Sequence, residues 1–224
     1  MISSRLFRKK MGGFTLIELM VSLAIMLTAT GLLLQNYPES TIRLRLLNYI
    51  HASSLLFREA QIRGSAVDST GGTIGGYGVF ISLASSSQIA LFSDNTSGVD
   101  IKNVAGLSIG DGLYNESISP DKIADTLKFQ DDFVVKKICI ASSTAVTSYG
   151  YLCNNSNSPP ISNLTVSFSR PDQTAHIYIN GTSSEEYPAA CVQLYSRYSP
   201  KSGHVRSVVV YHSGIISTSM ISCD

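Results

Sequence analysis

Residues Phe14 to Leu34 form one unbroken apolar run holding a single charged residue, Glu18. As an α-helix rising ~1.5 Å per residue, the run is about 31 Å long, enough to cross the hydrocarbon core of a bilayer. A segment of this kind cannot be left in water, so it must meet lipid or other helices. Arg5, Arg8, Lys9 and Lys10 all precede Gly13 and no acidic residue accompanies them. The positive-inside bias therefore keeps residues 1–13 cytoplasmic and carries the remainder across the membrane.

A cleaved secretory signal is the plainer reading, with Ala29-Thr30-Gly31 as a small-residue cleavage site. The run exceeds the usual ~7–15 apolar residues of a signal core, continues through Leu32, Leu33 and Leu34 past that site, and contains an acid. A permanent anchor explains the length but not Glu18. A carboxylate at mid-membrane costs on the order of 2.5–3.5 kcal/mol on insertion scales, less near an interface, so one retained in the run calls for a partner.

The stretch GGFTLIELMVSLAIM, residues 12–26, resembles the class III signal of type IV pilins and type II secretion pseudopilins: a short basic leader ending in Gly, then Phe, then an apolar helix with Glu at the fifth position. The resemblance implies that a prepilin peptidase cuts between Gly13 and Phe14 and methylates the new amine. It also implies that Glu18 meets the α-amine of a neighbouring subunit during assembly. At ~4 Å and an effective dielectric of ~20 such a pair is worth up to about 4 kcal/mol before desolvation.

Beyond the run, Ile42, Leu46, Tyr49, Ile50, Ser53, Phe57 and Ala60 recur at helical spacing and predict an amphipathic helix over 35–66, with Arg43, Arg45, Arg58 and Glu59 off its apolar stripe. Pro38 predicts an interruption, and Arg63-Gly64-Ser65 the end. From residue 67 to 224 the chain is rich in Ser, Gly, Asn, Tyr and Val, with no Trp, the composition of a β-rich domain. Strands are expected at 77–83, 88–92, 128–140 (with a bend), 163–168, 175–180, 190–195, 205–212 and 215–221, with turns at Pro171-Asp172, Asn180-Gly181 and Ser213-Gly214. The expected fold is α+β: a long N-terminal helix packed on an antiparallel sheet or sandwich. The pairing of GYGVF (76–80) with VRSVVVYHSGII (205–216) is similar, more loosely, to the GspH/FimT type of minor pseudopilin and pilin.

Four cysteines, Cys139, Cys153, Cys191 and Cys223, are even in number and contain no CxxC pair, which favours disulfides in an oxidising compartment over zinc. Cys139 and Cys153 bracket a polar loop and are expected to pair, leaving Cys191 with Cys223. Three connectivities are available to four cysteines, and a simple meander of the last three strands puts Val209, not Cys223, opposite Cys191.

Other motifs are weaker. GLSIG (106–110) has the form of a nucleophile elbow, which has meaning only between a strand and a helix; Ser108 is expected to be a loop residue. STGGTIGGYG (69–78) lacks the Lys-Ser/Thr ending of a phosphate loop. DNTSGVD (94–100) has oxygen side chains around a glycine but not the spacing of a calcium loop, and a turn is expected. His51, His176, His204 and His212 have no spaced acid or metal partner. No cofactor, metal or specific nucleic acid is expected. Net charge is +1, and the chain after Gly13 is net negative.

These features predict a non-enzymatic filament subunit, with prepilin peptidase, other pilins or pseudopilins, an inner-membrane assembly platform and, before assembly, membrane lipid as partners. A filament-tip adhesin or DNA receptor is the first alternative, a membrane-tethered hydrolase the second.

Overall fold

The computed structural model describes residues 13–66, 74–95, 101–102, 108–109, 111–114, 121–130, 132–141, 151–154, 160–169, 173–182, 187–197, 205–219 and 223. The chain divides into two units, Met1–Thr41 and Ile42–Asp224. A single helix, α1 (Leu16–Ser65), contributes to both.

In the first unit the helix is apolar on every side. Leu16, Ile17, Met20, Met26, Leu33 and Leu34 all stand exposed. Its few hydroxyls are turned inward on the backbone: Ser22 donates to the Leu19 carbonyl, Thr28 to Ala24 and Ile25, Thr30 to Met26 and Leu27. Such back-bonding hides polarity where no water is available. α1 runs on through Pro38, so the helix is not broken there. Pro38 forfeits one backbone hydrogen bond, which costs the helix stability without ending it.

In the second unit the predicted stripe is the buried one. Leu46, Ile50, Ser53, Phe57 and Ala60 are each no more than 1 % exposed, and half-buried Ile42 and Tyr49 pack against the same core. The helix stops at Ser65, with Arg63 in its last turn paired to Glu59 one turn earlier, where a cation suits the negative end of the helix dipole.

Among the described residues twelve strands follow: β1 (Ile74–Ser82), β2 (Gln88–Asn95), β3 (Ile101–Lys102), β4 (Ser108–Ile109), β5 (Lys122–Lys128), β6 (Phe133–Ala141), β7 (Tyr151–Cys153), β8 (Asn163–Ser169), β9 (Ala175–Ile179), β10 (Ala189–Ser196), β11 (Val205–Tyr211) and β12 (Ile216–Ser219). They make two five-stranded antiparallel sheets, ordered β5-β2-β1-β8-β9 and β12-β11-β10-β6-β7, plus a β3-β4 ribbon. Alternation decides the faces. Val79, Ile81, Ile89, Leu91, Val166 and Phe168 of the first sheet share one core with Ile138, Ile140, Val192, Leu194, Val208 and Val210 of the second and with the α1 stripe. The fold is α+β, a long helix packed on two antiparallel sheets.

The strand expected over 128–140, with a bend, does change direction, with Lys128 the last residue of β5 and 133–140 in β6 of the other sheet. β5 ends the first sheet, the chain turns a corner at Phe129–Asp132, and β6 enters the middle of the second. Phe129 and Phe133 flank the corner and are both buried, so apolar spacing continues across the bend and conceals its position from periodicity. The corner docks on α1: the Tyr49 ring lies 5.3 Å from Phe129 and 5.1 Å from Phe133, and its hydroxyl accepts the Gln130 amide at 3.2 Å. Tyr49→Phe keeps both ring contacts and removes only the acceptor. An expected loss of about 0.5–1 kcal/mol in urea unfolding isolates that bond, and an unchanged midpoint would show that water replaces it.

Asn180 and Gly181 both adopt positive φ (55° and 67°), and Thr182 bonds back to Ile179, a two-residue turn that favours these residue types. The turn expected at Pro171-Asp172 lies outside the described residues.

Candidate functional site

Of the residues singled out at the N-terminus, Gly13 and Phe14 lie just before α1 and Glu18 lies in its first turn. Gly13 is exposed, with open space where a side chain would project, and Phe14 is 76 % exposed. Thr15 caps the helix: its Oγ1 accepts the Glu18 amide at 3.3 Å, and its carbonyl accepts the amides of Glu18 at 3.1 Å and Leu19 at 3.2 Å. Glu18 stands in the first turn, where the helix dipole favours an anion. Thr15-Leu16-Ile17-Glu18 is thus the T-x-x-E pattern of a capping box, a signal legible in the sequence that reading Glu18 only as a charge overlooks. Arg5, Arg8, Lys9 and Lys10 lie outside the described residues.

The head contains a second notable group. Asp94, at the end of β2, projects from the face of the first sheet opposite the core, yet it is 3 % exposed. That outer face is covered by residues 111–114: Tyr114 packs 4.8 Å from the ring of Phe80 and 5.4 Å from that of Phe92. Asp94 anchors the cover, its Oδ2 accepting the Gly112 amide at 2.8 Å, while Oδ1 is enclosed without a hydrogen-bond partner. Gly112 has φ of 76°, and a side chain there would run into Tyr178 and the Ser167 hydroxyl. Burial pushes the Asp94 carboxyl up to about 7; the Gly112 amide opposes this, and Asp121 and Asp111 add to it. Asp94 is therefore a structural anchor, and the remainder of the DNTSGVD stretch, 96–100, lies outside the described residues.

All four cysteines are bonded, Cys139 to Cys153 and Cys191 to Cys223. Val209 does stand opposite Cys191, as a simple meander of β10, β11 and β12 requires. Cys223 nevertheless reaches Cys191 from beyond β12. The bridges form a small second core with Val209, Tyr151 and Tyr211, separate from the main one.

Ser108 lies in β4, paired with Lys102, and the next described element is the strand β5, so the helix that a nucleophile elbow requires does not follow it among the described residues. His176 and His212 approach with ring centroids 6.3 Å apart, a proximity not visible in their spacing, and His212 Nδ1 lies 3.0 Å from the Ala175 carbonyl. His51 is exposed on α1, and His204 is outside the described residues. No group of three metal-ligating side chains occurs among the described residues. A cavity of about 190 Å³ on the outer face of the first sheet is lined by Phe80, Ser82, Gln88, Ala90, Tyr114 and Ile123, with Ser85 at its side. Among the described residues, no histidine, lysine or carboxylate lines it.

Residues 8–34 match the family model described as the prokaryotic N-terminal methylation motif. The chain carries that motif, a pilin-type class III signal. Comparison with curated proteins and with solved structures returned no match. The matched residues include Gly13, Phe14 and Glu18 and the whole apolar run. It points to a structural, pilin-type protein, and with the apolar helix it fits a membrane-anchored, then pilus-associated, life.

Proposed function

We propose that the chain is a structural, non-enzymatic subunit, a minor pilin or pseudopilin, of a type IV pilus or type II secretion-like filament. The observation that carries this reading is the methylation motif at residues 8–34, with Glu18 in the first turn of a helix whose apolar side chains stand exposed on all sides. Residues 1–13 serve as the leader, 14–34 as the membrane span and later filament-core helix, 35–66 as the extension, and 67–224 as the head. Prepilin peptidase removes the leader and methylates Phe14. The head lies outside the cytoplasm, where its disulfides are stable, until an inner-membrane platform draws the subunit into a filament of pilins or pseudopilins. Assembly follows from packing: the exposed apolar surface exchanges lipid for neighbouring helices, and Glu18 exchanges an interfacial position for a neighbour's amine.

Intact-mass analysis of the membrane-extracted chain tests the processing step. The expected mass is that of a chain beginning at methylated Phe14, and Gly13 replaced by a bulky residue is expected to retain the leader. A mature terminus at Leu32, or an uncut Met1 in assembled protein, overturns the reading.

A further inference from the structure

We propose that the two disulfides form one relay, in which reduction entering at Cys153 is passed through Cys139 and Cys191 and frees the C-terminal Cys223. The geometry lies in the sheet register. Cys139 of β6 is directly opposite Cys153 of β7 on one side and directly opposite Cys191 of β10 on the other. Residues directly opposite one another project to the same face, so three of the four cysteines lie in one row across three strands.

The spacing between the bridges suits a third bond. The Asn154 amide donates to the Ile138 carbonyl, so that carbonyl faces β7; backbone groups alternate along a strand, so those of Cys139 face β10. Cys139 and Cys191 are then a hydrogen-bonded antiparallel pair, with Cα atoms about 5.5 Å apart, inside the ~4.4–6.8 Å that a disulfide spans. The remaining two cysteines are neighbours as well, the Cys153 sulfur lying 3.6 Å from the Cys223 carbonyl oxygen. Cys139, Cys191 and Cys223 are no more than 2 % exposed, whereas Cys153, on the three-residue edge strand, is 5 % exposed beside the half-open Leu152. An external reductant meets Cys153 first, and the inner step needs no solvent access.

The reductant is a dithiol. Its first thiolate attacks the Cys153 sulfur, breaking the Cys139–Cys153 bond, forming a mixed disulfide and releasing Cys139 as thiolate. The Cys139 thiolate attacks Cys191, forming Cys139–Cys191 and expelling Cys223 as thiolate, which takes up a proton. The dithiol's second thiol closes on the first, releasing Cys153, which is protonated in turn. Two electrons and two protons have passed to the protein, the dithiol has become a cyclic disulfide, and one protein disulfide remains. Cys153 and Cys223 leave together, so a reductant acting at the edge strand releases Cys223 from β10.

The test treats the wild-type full chain in detergent with one equivalent of dithiothreitol, alkylates free thiols with iodoacetamide and maps peptides without reduction. Alkylated Cys153 and Cys223 together with a Cys139–Cys191 cross-linked peptide are expected. Partly reduced molecules alkylated only at Cys139 with Cys153, or only at Cys191 with Cys223, overturn the relay. The doubly substituted Cys153→Ser, Cys223→Ser chain, made in an oxidising compartment, gives a second reading. It is expected to carry a Cys139–Cys191 bridge and no titratable thiol; two free thiols in the folded chain overturn the proposal. If that variant fails to fold, the wild-type mapping decides alone.

Discussion

Glu18→Gln is expected to insert, fold and form both disulfides as wild type does, and yet to fall at least about tenfold in sheared filaments at equal membrane abundance. Two roles for Glu18 must be separated. It occupies the fourth position of the T-x-x-E pattern begun by Thr15 at the start of α1, and it is the only charge in the apolar run. Glutamine serves the capping pattern as well as glutamate does but carries no charge to meet a neighbour's amine. Glu18→Ala removes both functions. If charge recruits the subunit, the two variants fail equally; if the cap is what matters, glutamine assembles and alanine does not. Head folding is unaffected in either case, because Glu18 precedes the first strand by the remainder of α1. A wild-type major subunit could sustain filament number, so the measurement follows this chain in the sheared fraction. Normal incorporation of both variants removes Glu18 from assembly.

Asp94→Asn is expected to abolish a pH dependence of stability. The native carboxyl keeps its proton up to about pH 7 because burial disfavours the charge, whereas the unfolded one releases it near the ordinary carboxyl value of 3.8. Between these values the unfolded state binds fewer protons, so Asp94 lowers stability as pH rises through the window and contributes a constant penalty above it. About three pKa units correspond to a penalty on the order of 4 kcal/mol at pH 8. Asparagine keeps an oxygen for the Gly112 amide and puts an NH2 where Oδ1 has no partner, at a cost of about 1–3 kcal/mol. The variant is therefore expected to be about 1–3 kcal/mol more stable than wild type at pH 8 and to have no advantage at pH 4. Urea unfolding of both proteins at pH 4, 6 and 8 decides it: a difference that does not change with pH removes Asp94 as the titrating group.

What the sequence reveals follows from the range over which its signals act. The α1 stripe through Leu46, Ile50, Phe57 and Ala60 is legible because one helix face repeats locally, and the inward faces of β1, β2, β8, β10 and β11 are legible because alternation does. The position of the corner at Phe129–Asp132 is not, since two buried phenylalanines carry the apolar rhythm past the bend. β5, KIADTLK, is exposed along most of its length and shows no buried face to alternate with a polar one. Asp94 reads as a turn residue because its burial depends on Gly112 and Tyr114, which come from another segment of the chain. At the N-terminus the opposite holds: the methylation motif and the helix cap are local patterns, and all the residues involved lie within one short stretch.

β5 closes one edge of the first sheet, and among the described residues no further strand pairs with its other side, an edge that a second copy could extend. Under the proposed function, subunits held in one bilayer sit at high local concentration, the condition under which open edges zip together. This edge is poorly suited to zipping. Lysines stand at both ends of the strand, Lys122 and Lys128, and its pairing with β2 is irregular between Leu91 and Phe92, so an incoming strand meets two cations and a twisted register. In the filament proposed for this chain, heads kept from adhering through strands stay free to turn about one another, and the order of the fibre is left to its helices.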